Sequence, residues 1–302
     1  MTTAHRHTLT AAAVVILLAC GPAREKDPDP VTAVFDLTSE QLLDAPFPSE
    51  VRRSDDGTVD VSLFPNPRTI DMVAKIKDVI DEEMEGFGTN SAIYLHFDGP
   101  IDTSTLPPSP AMSRETGSSL VLLDVDETSP YEGERIPVKW HYRETVSDFW
   151  LPDTLAVLPV SGYVLRPDTL YALVLTDDVT SAEGLSVLRD EDFVKMIDDV
   201  TDFDTVYTPA ETAHRRAMAA IEARGMDPES IVTAAVFRTT DPVSEMLALR
   251  DDVLANVDPP AIEELAVHEE LDGHTIYTGT YGPNPNYQYG FSEGLSPYES
   301  QG

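Results

Sequence analysis

Gly290-Phe291-Ser292-Glu293-Gly294 has the G-x-S-x-G spacing of a serine nucleophile elbow. That chemistry needs an apolar strand before the serine, a helix after it, and an acid and a histidine later in the chain. Asn284-Pro285-Asn286 instead precedes it, and the eight residues after Gly294 include Pro297 and no histidine. The spacing is therefore read as coincidental. His268 and His274 flank Glu269, Glu270 and Gly273. Zinc ligands sharing one helical face need i,i+4 spacing, which this i,i+6 pair lacks. His96 and His141 fall within strand-like runs and are expected to line a sheet face. His214, beside Arg215 and Arg216 in a helical stretch, is expected at a solvated surface. Asp124-Val125-Asp126-Glu127 is the best local candidate for calcium, a hard cation that wants converging oxygens. It lacks an Asp-x-Asp-x-Asp-Gly loop, and solvated acids at a strand end are the simpler reading. No glycine-rich phosphate loop is present. No constellation here supports catalysis, and no cofactor is implied.

The other reactive residue is Cys20, the single cysteine. Met1 to His7 is short and polar with one arginine, and Ala11 to Ala19 is unbroken apolar. Nine such residues rise only about 14 Å as a helix, roughly half a bilayer core, which describes an export signal rather than a span. The ending Leu17-Leu18-Ala19-Cys20 resembles a bacterial lipobox. That resemblance implies cleavage before Cys20, diacylation of its thiol, and anchoring in the cell envelope, at the outer membrane or cell surface. With Cys20 lipidated no disulfide can form. Twenty basic against 54 acidic residues give a net charge of −34, which repels nucleic acid and anionic head groups. The acids are scattered as pairs and triplets, a pattern suited to a solvated surface.

The positioning elements change character along the chain. Gly21 to Pro30 reads as an extended, proline-rich tether. Residues 69–84 place Ile70, Val73, Ile76 and Ile80 on one helical face, and Gly86-Phe87-Gly88 stops that helix. Short apolar strands are expected at 91–97, 119–125, 135–142, 155–159 and 170–176, separated by turn formers. Connections this short cannot hold crossover helices, which disfavours a parallel sheet. Helices are then expected at 190–200 and 209–224, and a buried strand at Ile231 to Arg238. Asp241 and Pro242 should open a helix through about Val253. Residues 274–281 alternate as a strand.

The span from Ser91 to Val187 resembles the bacterial Ig-like domain of surface-layer and secreted proteins. The residues that carry this are Phe97-Asp98-Gly99-Pro100-Ile101-Asp102, then Leu158-Pro159 through Leu165-Arg166-Pro167 to Tyr171 and Leu175. Ser181-Ala182-Glu183-Gly184 departs from the usual Asp-x-x-Gly turn. Tyr171 is placed where a tyrosine corner ties its hydroxyl to backbone; a tyrosine simply buried in a strand is the equal alternative. More widely, the lipobox, a Phe-Pro segment, Gly86-Phe87-Gly88-Thr89, the sandwich and Val236-Phe237-Arg238-Thr239-Thr240-Asp241-Pro242 resemble the front half of bacterial lipase-like surface lipoproteins. In that family an α/β-hydrolase domain follows, and Thr278 to Gln288 resembles its approach.

The expected architecture is therefore mainly β: an Ig-like antiparallel β-sandwich followed by a smaller α/β segment. Residues 1–19 form the signal, 20–34 the tether, 35–188 the sandwich with its preceding helix, and 189–260 the α/β segment. Residues 261–302 form a strand and a loop leading on to a further domain. The expected function is a non-catalytic accessory region that positions or shields a hydrolase domain beyond Gly302. The alternative is a self-contained binding or scaffold lipoprotein for a protein or glycan.

Overall fold

The computed structural model describes residues 29–54, 56–198, 207–259 and 261–281. Cys20, the signal, most of the tether, Ser292 and the end of the chain lie outside the described residues. Strand and helix take nearly equal shares, 30% and 27%, in several small antiparallel sheets with no closed barrel. The chain is thus mixed α/β rather than mainly β.

Two antiparallel sheets dominate. The first orders β2 (Ile93–His96), β6 (Thr154–Pro159) and β5 (Val138–Arg143) as β2-β6-β5. The second orders β4 (Arg135–Ile136), β3 (Leu120–Asp124), β7 (Leu170–Thr176) and β9 (Ile231–Arg238) as β4-β3-β7-β9. Pro137, which has no N–H to give a ladder, falls between β4 and β5 and divides the single strand expected there. Alternate residues of both sheets meet in one apolar cluster: Ile93 and Leu95 from β2, Val157 from β6, Leu122 from β3, Leu173 from β7 and Phe237 from β9. Two residues from β1 (Thr32–Ala33) pair in parallel with β8 (Leu188–Arg189) at the margin.

The opposite face of the four-stranded sheet is also buried. Val121, Leu123, Val174 and Val236 pack there against Phe193 and Met196 of α2 (Glu191–Ile197) and Ala217 and Ile221 of α3 (Thr208–Ala223). This explains the sequences of β7 and β9, which run apolar without alternation because both faces are covered. β9, expected in the segment after the sandwich, pairs with β7 from Leu170↔Arg238 to Thr176↔Ile231. Sheet, sheet and helices therefore form three layers.

Helix α1 (Asp71–Glu83) forms where the periodicity places it, but its expected apolar face is largely uncovered. Ile80 packs against the core, whereas Ile70 and Ile76 are exposed. After it, Gly86 takes φ +87°, and the following Phe87 amide and carbonyl bond Arg238 O and Thr240 N at 2.9 and 2.7 Å. A Cβ on Gly86 would lie 2.9 Å from Thr239 C and Thr240 N. Gly86→Ala is expected to lower stability by about 2 kcal/mol, from left-handed strain plus overpacking against rigid backbone. Urea unfolding checks this.

Beyond β9 the packing ends. Asp241 Oδ1 accepts from the Val243 and Ser244 amides, so α4 (Ser244–Asn256) opens two residues later than Asp241-Pro242 suggested. No residue of α4 is buried. β10 (Ile262–Leu271) and β11 (His274–Tyr281) then form an antiparallel hairpin, exposed along its whole length. β10 was not expected from the sequence.

Candidate functional site

The Asp124–Glu127 stretch sits where β3 ends, and the fold brings three arginines to it. Asp126 is nearly sealed from water. Its Oδ1 accepts from the Thr128 amide and hydroxyl at 2.9 and 2.7 Å. Its Oδ2 accepts from the Leu170 amide at 3.1 Å and lies 2.9 Å from Arg238 Nη1. Asp124, fully buried, accepts from the Asp126 amide and the Ser129 hydroxyl, with Arg166 Nη1 at 3.7 Å. Glu127 pairs with Arg216 at 2.8 Å. Each carboxylate of the calcium candidate is thus matched by a guanidinium, and the two buried ones are filled by N–H and O–H donors as well. A cation entering here would have to displace those donors. The assembly ties the end of β3 to the start of β7, the end of β9 and α3.

Burial pushes the Asp126 carboxyl up. The Thr128 hydroxyl and amide, the Leu170 amide and the Arg238 charge together outweigh burial and hold it down at about 2. The group stays ionised at any ordinary pH. It acts as an anchor, and cannot serve as an acid or base.

Arg166 continues the network. It pairs with Glu134 and lies over the Tyr131 ring, 3.8 Å from its centroid. Its backbone amide donates to the Tyr171 hydroxyl at 3.1 Å. Tyr171 is completely buried, so its ring fills the core between the sheets while its hydroxyl closes the turn before its own strand. Tyr171→Phe is expected to cost about 1–2 kcal/mol, because the Arg166 N–H loses its acceptor while packing is kept. A thermal melt of this variant beside the parent reports the difference.

The histidines do not converge. His96 on β2 has Nδ1 3.0 Å from Asp44 Oδ1, and Ser39 donates to the other Asp44 oxygen at 2.6 Å. Here the carboxylate stands between serine and imidazole. A nucleophilic triad needs the imidazole in the middle, receiving the serine proton, so this order cannot activate Ser39. Burial lowers the His96 pKa, partly offset by Asp44. His141 on β5 is exposed, and His268 and His274 lie on the exposed hairpin. His214 corrects the sequence expectation. It is fully buried, not solvated: its ring meets Phe35 edge-on at 5.7 Å and its Nδ1 is 2.8 Å from Ala210 O. The helix turns its arginines outward and its histidine inward, a choice made by Phe35 and β9.

One concavity, of about 420 Å³, is lined by Ser104, Leu106, Met112, Ser118 and Asp178 among others, with no histidine. A second, of about 380 Å³, is lined by Arg53, Glu83, Asp168, Arg238 and Asp241 among others. Neither pairs a nucleophile with a base. Among the described residues no group of three or more His, Cys, Asp or Glu side chains could hold a metal ion. Among them also, no helix is long and apolar enough to cross a membrane.

What the site chiefly offers is surface. On β10 and β11, Ile262, Leu265, Val267, Tyr277 and Tyr281 are all between 51% and 70% exposed. An isolated two-stranded hairpin is marginal in water, so a hairpin of this length presenting apolar side chains is suited to being covered. No family model matches the chain, and no curated protein matches it either.

Proposed function

We propose that this chain is the lipid-anchored, non-catalytic front of a lipase- or esterase-like surface protein, with an Ig-like sandwich serving as an accessory module. The observation that carries the reading is the β10–β11 hairpin, which stands off the three-layered body with its apolar side chains uncovered. A body whose buried polar groups serve structure, bearing an exposed apolar arm, suits a part that positions another. The Tyr171 hydroxyl bond and the core shared between two antiparallel sheets are features also found in Ig-like sandwiches, which supports this reading. Cys20 would supply the lipid attachment and hold the protein at the outer membrane or cell surface.

A second reading, a self-contained binding lipoprotein for a protein or glycan, is favoured by one feature. Exposed Phe149 lies beside Trp150, which Arg143 overlies at 5.7 Å, at a cleft of about 90 Å³. Ester hydrolysis separates the two. The accessory reading expects no turnover of p-nitrophenyl esters by the chain ending at Gly302, and turnover once the following domain is joined to it. Activity in the 302-residue chain, or none in the longer one, would overturn it. Intact mass of the exported protein should start at a diacylated Cys20.

A further inference from the structure

The two strands of the hairpin differ in character from face to face. Cross-strand partners Ile262↔Tyr281 and Val267↔Tyr277 fall on one side, since Tyr277 and Tyr281 are four residues apart on β11. Leu265 joins them: a Cβ built on Gly279, which lies between the two tyrosines, would be 3.4 Å from Leu265 Cδ1. The other side carries Glu263↔Thr280, Ala266↔Thr278, Glu269↔Ile276 and Leu271↔His274 and is the more polar of the two, while Glu270↔Thr275 ends the tyrosine side next to the turn. The hairpin is therefore amphipathic, and its apolar side faces solvent.

Charge and size decide what fits there. Between Ile262 and Tyr281 there are five carboxylates, at Glu263, Glu264, Glu269, Glu270 and Asp272, and no lysine or arginine. A second copy of the chain, itself at −34, would bring a like rim against this one. The complement is an apolar patch edged by Lys and Arg. Two strands of this length present a face of only about 300 Å², well below the roughly 800 Å² per partner of stable independent complexes. So small a face suffices when the partner is tethered and its effective concentration is high. We infer that the apolar side of the β10–β11 hairpin docks on an apolar, Lys/Arg-edged face of a folded domain carried further along the same polypeptide. This rests on the proposed function and names the surface and chemistry by which the two parts join.

Hydrogen–deuterium exchange of the 262–281 amides tests it in two proteins: the mature chain ending at Gly302, and that chain continued through the domain encoded after it. The longer protein should exchange at least a hundredfold more slowly across the hairpin. Val267→Glu should remove at least tenfold of that protection while leaving the β3 and β7 amides unchanged, and 1 M NaCl should weaken it several-fold. Equal exchange in both proteins overturns the inference, as does an inert Val267→Glu. Protection that rises with concentration of the shorter chain overturns it too, in favour of a second copy. A longer protein that covers the hairpin but hydrolyses no ester sinks the proposed function and leaves the docking intact. One that hydrolyses esters with the hairpin as open as before does the reverse.

Discussion

Asp126→Ala should lower the unfolding free energy by about 3–4 kcal/mol, within the range for breaking a buried ion pair. The substitution strands four donors at once: the Leu170 amide, the Thr128 amide and hydroxyl, and one side of the Arg238 guanidinium. The cost falls in the lower half of that range because Arg238 is 30% exposed and keeps Asp168 at 3.2 Å. Asp126→Asn keeps an acceptor for Thr128 and should lose about half as much. The wild-type carboxyl adds a pH signature. Its pKa is depressed to about 2, so its stabilisation is present above the unfolded value near 4 and is lost as pH falls from there towards 2. That loss comes to about 2 kcal/mol. Urea titrations at pH 7 and at pH 2.5 on parent and both variants give the comparison. A variant as stable as the parent at pH 7 would show that the network carries no weight.

His214 should produce a second acid transition at higher pH. Burial drives its pKa down to about 4, outweighing the Ala210 and Ala234 backbone contacts that favour the charged ring. The folded state therefore holds a neutral imidazole where the unfolded chain, near 6.5, takes up a proton. Stability should fall as pH drops below about 6.5 and level off below about 4, a loss of about 3 kcal/mol. The ring meets Phe35 and the backbone of Ala210 and Ala234, none of which carries a charge to offset the proton. His214→Leu, whose side chain would meet Phe35, Ala210 and Ala234, should flatten the curve between pH 6.5 and 4. A variant that keeps the parent slope in that window would assign it to other groups.

These two side chains also show where the sequence was legible. β7, β9 and β11 stand out because long runs of β-branched, aromatic and aliphatic residues have no other stable use. For Tyr171 the resemblance around Leu165-Arg166-Pro167 offered a hydroxyl tied to backbone, with a tyrosine simply buried in its strand as the equal alternative. The sheet assembly was not. Nothing local says that β9 pairs with β7, and only that pairing explains why α2 and α3 are needed as a third layer. β10 was hidden by composition. IEELAVHEEL is rich in glutamate, a poor strand former, and register shifts near Glu264 and His268 break its alternation. His214 was misplaced because neighbouring arginines suggested a wet face, whereas adjacent helical residues point about 100° apart. Asp124 and Asp126 could be picked out as a cluster, but their partners Arg166 and Arg238 lie on other elements far along the chain. Carboxylates with no visible partner look like metal ligands. With the arginines in place they are structural.

The lipid-anchored accessory role is a proposal, and its most direct test is the coding sequence immediately after the Gly302 codon. The account predicts an open frame that enters an apolar strand, then a G-x-S-x-G followed by a helix, with Asp and His later in the chain. A stop codon at that position would contradict it and leave an autonomous lipoprotein, to be pursued through the aromatic cleft at Phe149 and Trp150.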